Sequence, residues 1–154
     1  MNVLKFGLFI CVISCGLVLS GCAAEGGSVE TKSTAVQATP ASPDNLAVLW
    51  TSGDPYVAQK VCFMYTHNAK KQNWFNRVQL IVWGPSAKLL ADDASLQDYV
   101  KTMMADGVEV KACKACADSY GVSDDLAALG IEVRYMGVPL TRMLKSADWS
   151  TLTF

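Results

Sequence analysis

Strand-length apolar runs separated by helical stretches constrain this chain more than any other feature. Residues 46–51, 77–83, 108–112 and 131–135 are short apolar runs, and each ends at a turn signal or a change of periodicity. Ser52-Gly53 stops the first and Gly84-Pro85 the second; the third runs into Cys113, and Gly137-Val138-Pro139 forms a turn soon after the fourth. Residues 149–154 supply a last strand. Strands of this length alternating with helices predict a parallel sheet covered on both faces. Right-handed crossovers then bring every strand-end loop to one edge.

The helices between them read from their caps and spacing. Asp54-Pro55 is an N-cap followed by proline at the first helical position, and the helix should run to Lys70 or Lys71. Val57, Val61, Met64 and Tyr65 are expected as its buried stripe, with Ala58 and Cys62 on the adjacent flank. A short helix is expected over 86–90. A longer one follows over 95–105, with Leu96, Tyr99, Val100 and Met103 at core spacing and Gly107 ending it. Ser123 should cap another short helix closed by Gly130, and a last one spans 140–145.

Ahead of this domain the chain is of another kind. Lys5 precedes an almost wholly apolar run over 6–19, which has the length of a signal-peptide core and is short for a membrane span. It ends in Leu19-Ser20-Gly21-Cys22, which resembles the lipobox of bacterial lipoproteins, where cleavage precedes an acylated cysteine. The expected division is a signal over 1–21, a lipidated Cys22 with a flexible tether over 22–44, and a domain over 45–154. The tether is rich in Gly, Ser, Thr, Ala and Pro and cannot bury enough surface to offset its ordering entropy. The partner of Cys22 is then the lipid bilayer, and the location a periplasm-facing surface of the bacterial envelope. Ala23 and Ala24 stand where many inner-membrane lipoproteins carry aspartate, which points to the outer membrane. An uncleaved anchor or a plain secretory signal are the alternatives.

Removal of Lys5 from 13 basic side chains, against 14 acidic ones, leaves a net charge of about −2. With no basic patch, nucleic-acid binding is disfavoured. There is no phosphate loop, dinucleotide-binding glycine fingerprint, Gly-x-Ser-x-Gly elbow or HExxH. No cofactor or metal is called for.

The chemistry therefore concentrates at Cys113-Lys114-Ala115-Cys116. It places two thiols where a strand ends and a helix begins, the edge at which open α/β folds collect ligands. The loops around Ser52, Gly53, Asp54, Trp83, Gly84, Gly137 and Pro139 should converge on it as a pocket. Cys113 as nucleophile competes with Cys113 as a small core residue. Cys116 is a resolving thiol, a redox partner or a wall of the first helical turn. A thioredoxin-like dithiol lacks its usual Trp-Cys-Gly-Pro context, and structural zinc lacks ligands beyond this pair and the single His67. His67 is expected in solvent near a helix end, Cys62 in the core, Asp54 as a cap, and Lys111 and Lys114 as solvated lysines or supports for a thiolate. Trp50, Trp74, Trp83 and Trp149 are expected to pack.

Three segments resemble the DsrE/DsrF-like family, the DsrE/TusD/YchN-type sulfur-relay proteins. They are Trp83-Gly84-Pro85-Ser86-Ala87-Lys88-Leu89-Leu90, Val110-Lys111-Ala112-Cys113-Lys114-Ala115-Cys116-Ala117-Asp118-Ser119-Tyr120-Gly121, and Tyr135-Met136-Gly137-Val138-Pro139-Leu140. The second is the specific one, with a strand-end cysteine eight residues before a glycine. The resemblance implies a three-layer α/β/α sandwich, Rossmann-like, with a mostly parallel sheet of about five strands. It further implies homo-oligomers (trimers or hexamers) and sulfur carried as a persulfide on Cys113 and passed to a thiol partner protein, a sulfurtransferase-like carrier. Signal and tether depart from the family's usual cytoplasmic members. The alternative is a non-catalytic oligomeric binding module in which Cys113 and Cys116 form a structural or redox disulfide.

Overall fold

The structure, a computed structural model, describes residues 42–154. The expected signal, Cys22 and most of the tether lie outside the described residues. Five strands, β1 (Asn45–Trp50), β2 (Arg77–Val82), β3 (Glu109–Cys113), β4 (Glu132–Arg134) and β5 (Trp149–Thr153), form one sheet in the order β4-β3-β2-β1-β5. Every neighbouring pair is parallel. The sheet is thus the expected α/β architecture, flanked by helices.

Alternation along the strands sorts side chains onto two faces. Leu46, Val48, Trp50, Val78, Leu80, Val82, Val110 and Ala112 enter the main core. Ala47, Ile81 and Cys113 enter a smaller one on the opposite face. Helices α3 (Pro85–Asp92), α4 (Ala94–Ala105), α5 (Lys114–Tyr120) and α6 (Ser123–Ala128) send Leu90, Leu96, Val100, Met103, Ala117 and Leu126 into the main core. Among the described residues only α7 (Gly137–Leu144) covers the other face, through half-buried Leu140 and Met143, with Met136 buried at its N-cap. The layers follow from handedness. Steps from β1 to β4 all move the same way across the sheet, so right-handed crossovers put their helices on one face, and the return to β5 puts α7 on the other.

The first helix departs most from the sequence reading. It starts as α1 (Pro55–Val57), passes through a π-helical stretch (Ala58–Phe63) and ends as α2 (Met64–Lys71). Asp54 Oδ1 accepts from the N–H groups of Tyr56 (2.7 Å) and Val57 (3.2 Å), as a cap should. The wider π turn shifts every later side chain around the axis relative to a 3.6-residue period. Ala58, Cys62, Phe63, Thr66, His67 and Ala69 are therefore buried, while Val61 and Met64, expected inside, are 42% and 51% exposed. Phe63 lies edge-on to Trp50 at 4.8 Å and to Tyr99 at 5.4 Å. His67 is likewise not in solvent: it is buried beside Tyr99, with Nε2 2.7 Å from the Asp106 carboxylate.

Three smaller corrections follow from local bonding. Trp74 lies in the loop after α2 and is exposed against Tyr65 rather than packed. Ser123 does not cap α6, because its hydroxyl donates to Asp118. Gly137, Val138 and Pro139 are the first turn of α7 rather than a free turn, since proline in a first turn forfeits no helical hydrogen bond.

The shifted stripe sets a test. Phe63→Ala should cost about 3–5 kcal/mol in urea unfolding. Met64→Ser, apolar in sequence but turned outward, should change stability by less than about 0.5 kcal/mol.

Candidate functional site

Cys113 is the last residue of β3 and the N-cap of α5, in extended backbone (φ −69°, ψ 111°). Strand alternation turns its side chain onto the face under α7, where it packs with Ala47, Ile81 and Met136 and is only 3% exposed. Cys116, in the first turn of α5, belongs to the same cluster and is half-buried. The two thiols lie side by side in this cluster, with the Gly84 main chain next to Cys116. Both are free thiols, as is Cys62.

That setting holds Cys116 and Cys62 in their protonated forms. Burial raises the Cys116 pKa above the ordinary thiol value, and the contact with Cys113 adds to it, while the Gly84 main chain works the other way. Cys62, deeper and beside Thr66, is pushed up to about 12, again chiefly by burial. Neither lysine is free to support a thiolate. Lys114 gives both hydrogen bonds to Asp118 at 2.8 Å, and Lys111 is paired with Glu132. The Asp118 contact holds Lys114 above its usual pKa and Asp118 below the usual carboxylate range.

The strand ends beside the thiols are built from main chain and one hydroxyl. Trp83 N–H reaches the Trp50 carbonyl (2.9 Å) and Ser86 Oγ (3.0 Å), and the Ser86 hydroxyl donates to that carbonyl at 2.6 Å. Ser86 is fully buried and holds the ends of β1 and β2 together. Gly84 adopts φ 70°, ψ −136°, a region that other residues occupy only at a cost of about 1–3 kcal/mol. This conformation sets the Gly84 main chain beside Cys116.

Of the residues expected in one pocket, Trp83 and Gly84 lie with the thiols, Trp83 half-buried within their cluster. Gly53 instead lines a cavity of about 330 Å³ with Pro85, Leu89 and Tyr120. Ser52 accepts from the Asp54 N–H (3.1 Å), and Asp54 is occupied as a cap. Pro139 lines a second cavity that neither thiol touches, and Gly137 is exposed at the start of α7. Sequence reasoning gave no role to Ser86 or Met136. The signals were a hydroxyl directly after Gly-Pro at a strand end and an apolar residue at a helix N-cap. Among the described residues no three His, Cys, Asp or Glu side chains gather as a metal-holding group.

A parallel five-stranded α/β domain with a cysteine at a strand's carboxyl end defines the class. The DsrE/DsrF-like family model matches residues 44–154, and the chain belongs to that family. Sulfur relay is the chemistry to which this membership points. Among solved structures, the chain is similar to the conserved protein of unknown function BT1422 from Bacteroides thetaiotaomicron. The two share 36% identity and a TM-score of 0.69, over 72% of this chain and 95% of that one. The ychN protein of E. coli shares the fold at 21% identity and a TM-score of 0.55, over 73% and 99% of the two chains. No curated protein matches significantly.

Thiol labelling resolved by peptide should follow the burial order. Iodoacetamide should modify Cys116 slowly at pH 7 and faster as pH rises past about 8.5, because its raised pKa keeps it protonated at neutrality. Cys62 should stay unmodified through pH 10 until the domain unfolds.

Proposed function

We propose that this protein is a lipid-anchored sulfane-sulfur relay of the bacterial envelope, with Cys113 as sulfur carrier and Cys116 as its neighbouring thiol. The observation that supports this is the pair of free thiols, Cys113 and Cys116, packed together at the junction of β3 and α5. The Cys113 thiolate attacks the outer sulfur of a small persulfide R–S–S⁻, forming Cys113–S–S⁻ and releasing R–S⁻. No net oxidation occurs, and the step is thiol–disulfide exchange with one added sulfur. An incoming thiolate then takes the outer sulfur from Cys113. Alternatively the Cys116 thiol passes its proton to the outer sulfur of Cys113–S–S⁻ and attacks the inner one, which closes the Cys113–Cys116 disulfide and expels HS⁻, reducing the carried sulfur and oxidising the two cysteine sulfurs.

The location rests on Leu19-Ser20-Gly21-Cys22, where acyl chains would contribute about 0.8 kcal/mol per buried methylene. Assembly with further copies suits the exposed apolar side chains of Tyr135, Val138 and Leu144, on and just before α7.

Intact-mass and peptide mapping of the full chain after polysulfide exposure tests the carrier role. One added sulfur, about 32 Da, should appear on Cys113 and pass to an added thiol. Cys113→Ala should lose the adduct, and Cys116→Ala should keep it while releasing less sulfide. A Cys113→Ala chain persulfidated as readily as wild type sinks the carrier role. A Cys113–Cys116 bridge that survives mild reductant and accepts no sulfur favours the binding-module reading instead. Separately, Cys22→Ser should move the chain from the membrane to the soluble fraction, and its staying on the membrane would refute the lipid anchor.

A further inference from the structure

The sheet face crossed by α7 carries a second feature that the thiols do not touch. Three arginines from separate elements, Arg77 at the start of β2, Arg134 at the end of β4 and Arg142 in α7, surround a cavity of about 400 Å³. Trp149, Met143 and Pro139 supply its apolar wall. Two of the guanidinium groups are held in place by carboxylates without being used up. Arg77 donates through Nε (3.0 Å) and Nη2 (2.9 Å) to Glu109 and lies over the Trp149 ring at 5.2 Å, so Nη1 remains for a ligand. Arg134 donates through Nη1 to Glu132 at 3.0 Å, leaving Nε and Nη2. Arg142 makes no ion pair among the described residues.

The charge balance has the same sense. Arg77, Lys111, Arg134 and Arg142 face Glu109 and Glu132, with Asp148 at the rim near Ser146. This local excess of cations stands on a chain whose net charge is −1. Gln79, the next residue on this face of β2 after Arg77, is 1% exposed, and its Nε2 has no hydrogen-bond partner among the described residues. An unused donor thus lies buried on the face that carries the three arginines. Guanidinium forks match the oxygens of a phosphate, and a dianion satisfies more of these N–H groups than a single carboxylate. The volume falls within the range of small-ligand sites and exceeds what a bare phosphate fills.

We propose that this arginine-lined cavity binds a small phosphate monoester, its phosphate held by Arg77, Arg134 and Arg142 and its organic body lying along Trp149, Met143 and Pro139. The site adjoins the thiol cluster, sharing Met143 and Trp149 with it, but ligand binding there does not depend on the sulfur chemistry.

Calorimetric titration of the full chain with phenyl phosphate, inorganic phosphate and phenol tests the assignment. Phenyl phosphate should bind saturably, more tightly than inorganic phosphate, and more weakly as ionic strength rises. Phenol should not bind. Arg142→Gln, at an exposed position without a partner, should keep the wild-type melting temperature and weaken phenyl phosphate about tenfold or more, the loss expected for a charge-assisted contact. Arg134→Gln should weaken it comparably. The proposal is overturned if phenyl phosphate fails to saturate, or if both variants bind it as tightly as wild type. Equal affinity for inorganic phosphate and the ester would remove the organic body from the ligand.

Discussion

The right-handedness of strand–helix–strand crossovers is the constraint on which this domain's other features depend. Because β1 to β4 advance in one direction, their connecting helices have only one face on which to pack. The apolar side chains of that face become a continuous core around Trp50, Phe63, Leu80 and Met103. Among the described residues, the return to β5 leaves the other face to a single short helix. One face is thereby committed to stability. The other keeps polar and reactive groups: the two thiols near the carboxyl edge and the arginine-rich cavity beside them on the sheet.

The thiol site is assembled largely from backbone. A glycine in a conformation few residues tolerate sets its main chain beside Cys116, and a buried serine hydroxyl ties the two central strands at their ends. Side chains enter mainly as apolar cover, from Ile81, Trp83 and Met136. The lysines beside the motif are spent on their own carboxylates, so they do not tune the thiols as sequence proximity suggests. Burial is the larger influence on Cys116, and it favours the protonated form.

Strand positions, the parallel sheet and the place of Cys113 were legible in the sequence because period-two alternation and Gly-Pro stops are local signals. The Asp54 cap and the second long helix were equally plain. The inward face of the first helix was not. No local signal announces a π-helical stretch, and this one turns Val61 and Met64 outward while His67 points inward to Asp106, a partner 39 residues away. The grouping of the strand-end loops was half legible. Topology places them all on one edge, but tertiary packing decides which cavity each loop lines, and it separates Gly53 and Pro139 from the thiols. The arginine cavity was invisible for the same reason, since its three cations lie far apart in sequence and meet only across the sheet.

Cys113 is shielded by the element with the lightest hold on the fold. Helix α7 has no fully buried residue of its own and grips the sheet through Leu140 and Met143 alone, while the helices opposite sink whole side chains into the core. Elements held by so few buried contacts open at free energies well below that of global unfolding. Exchange of the backbone amides of α7 with solvent should therefore be the fastest among the helices that cover the sheet, and Cys113 should come into reach of a reagent at the frequency with which that helix lifts. The rate of chemistry at this sulfur would then be set by a breathing motion of its cover, a kinetic gate that a static accessibility of 3% does not convey.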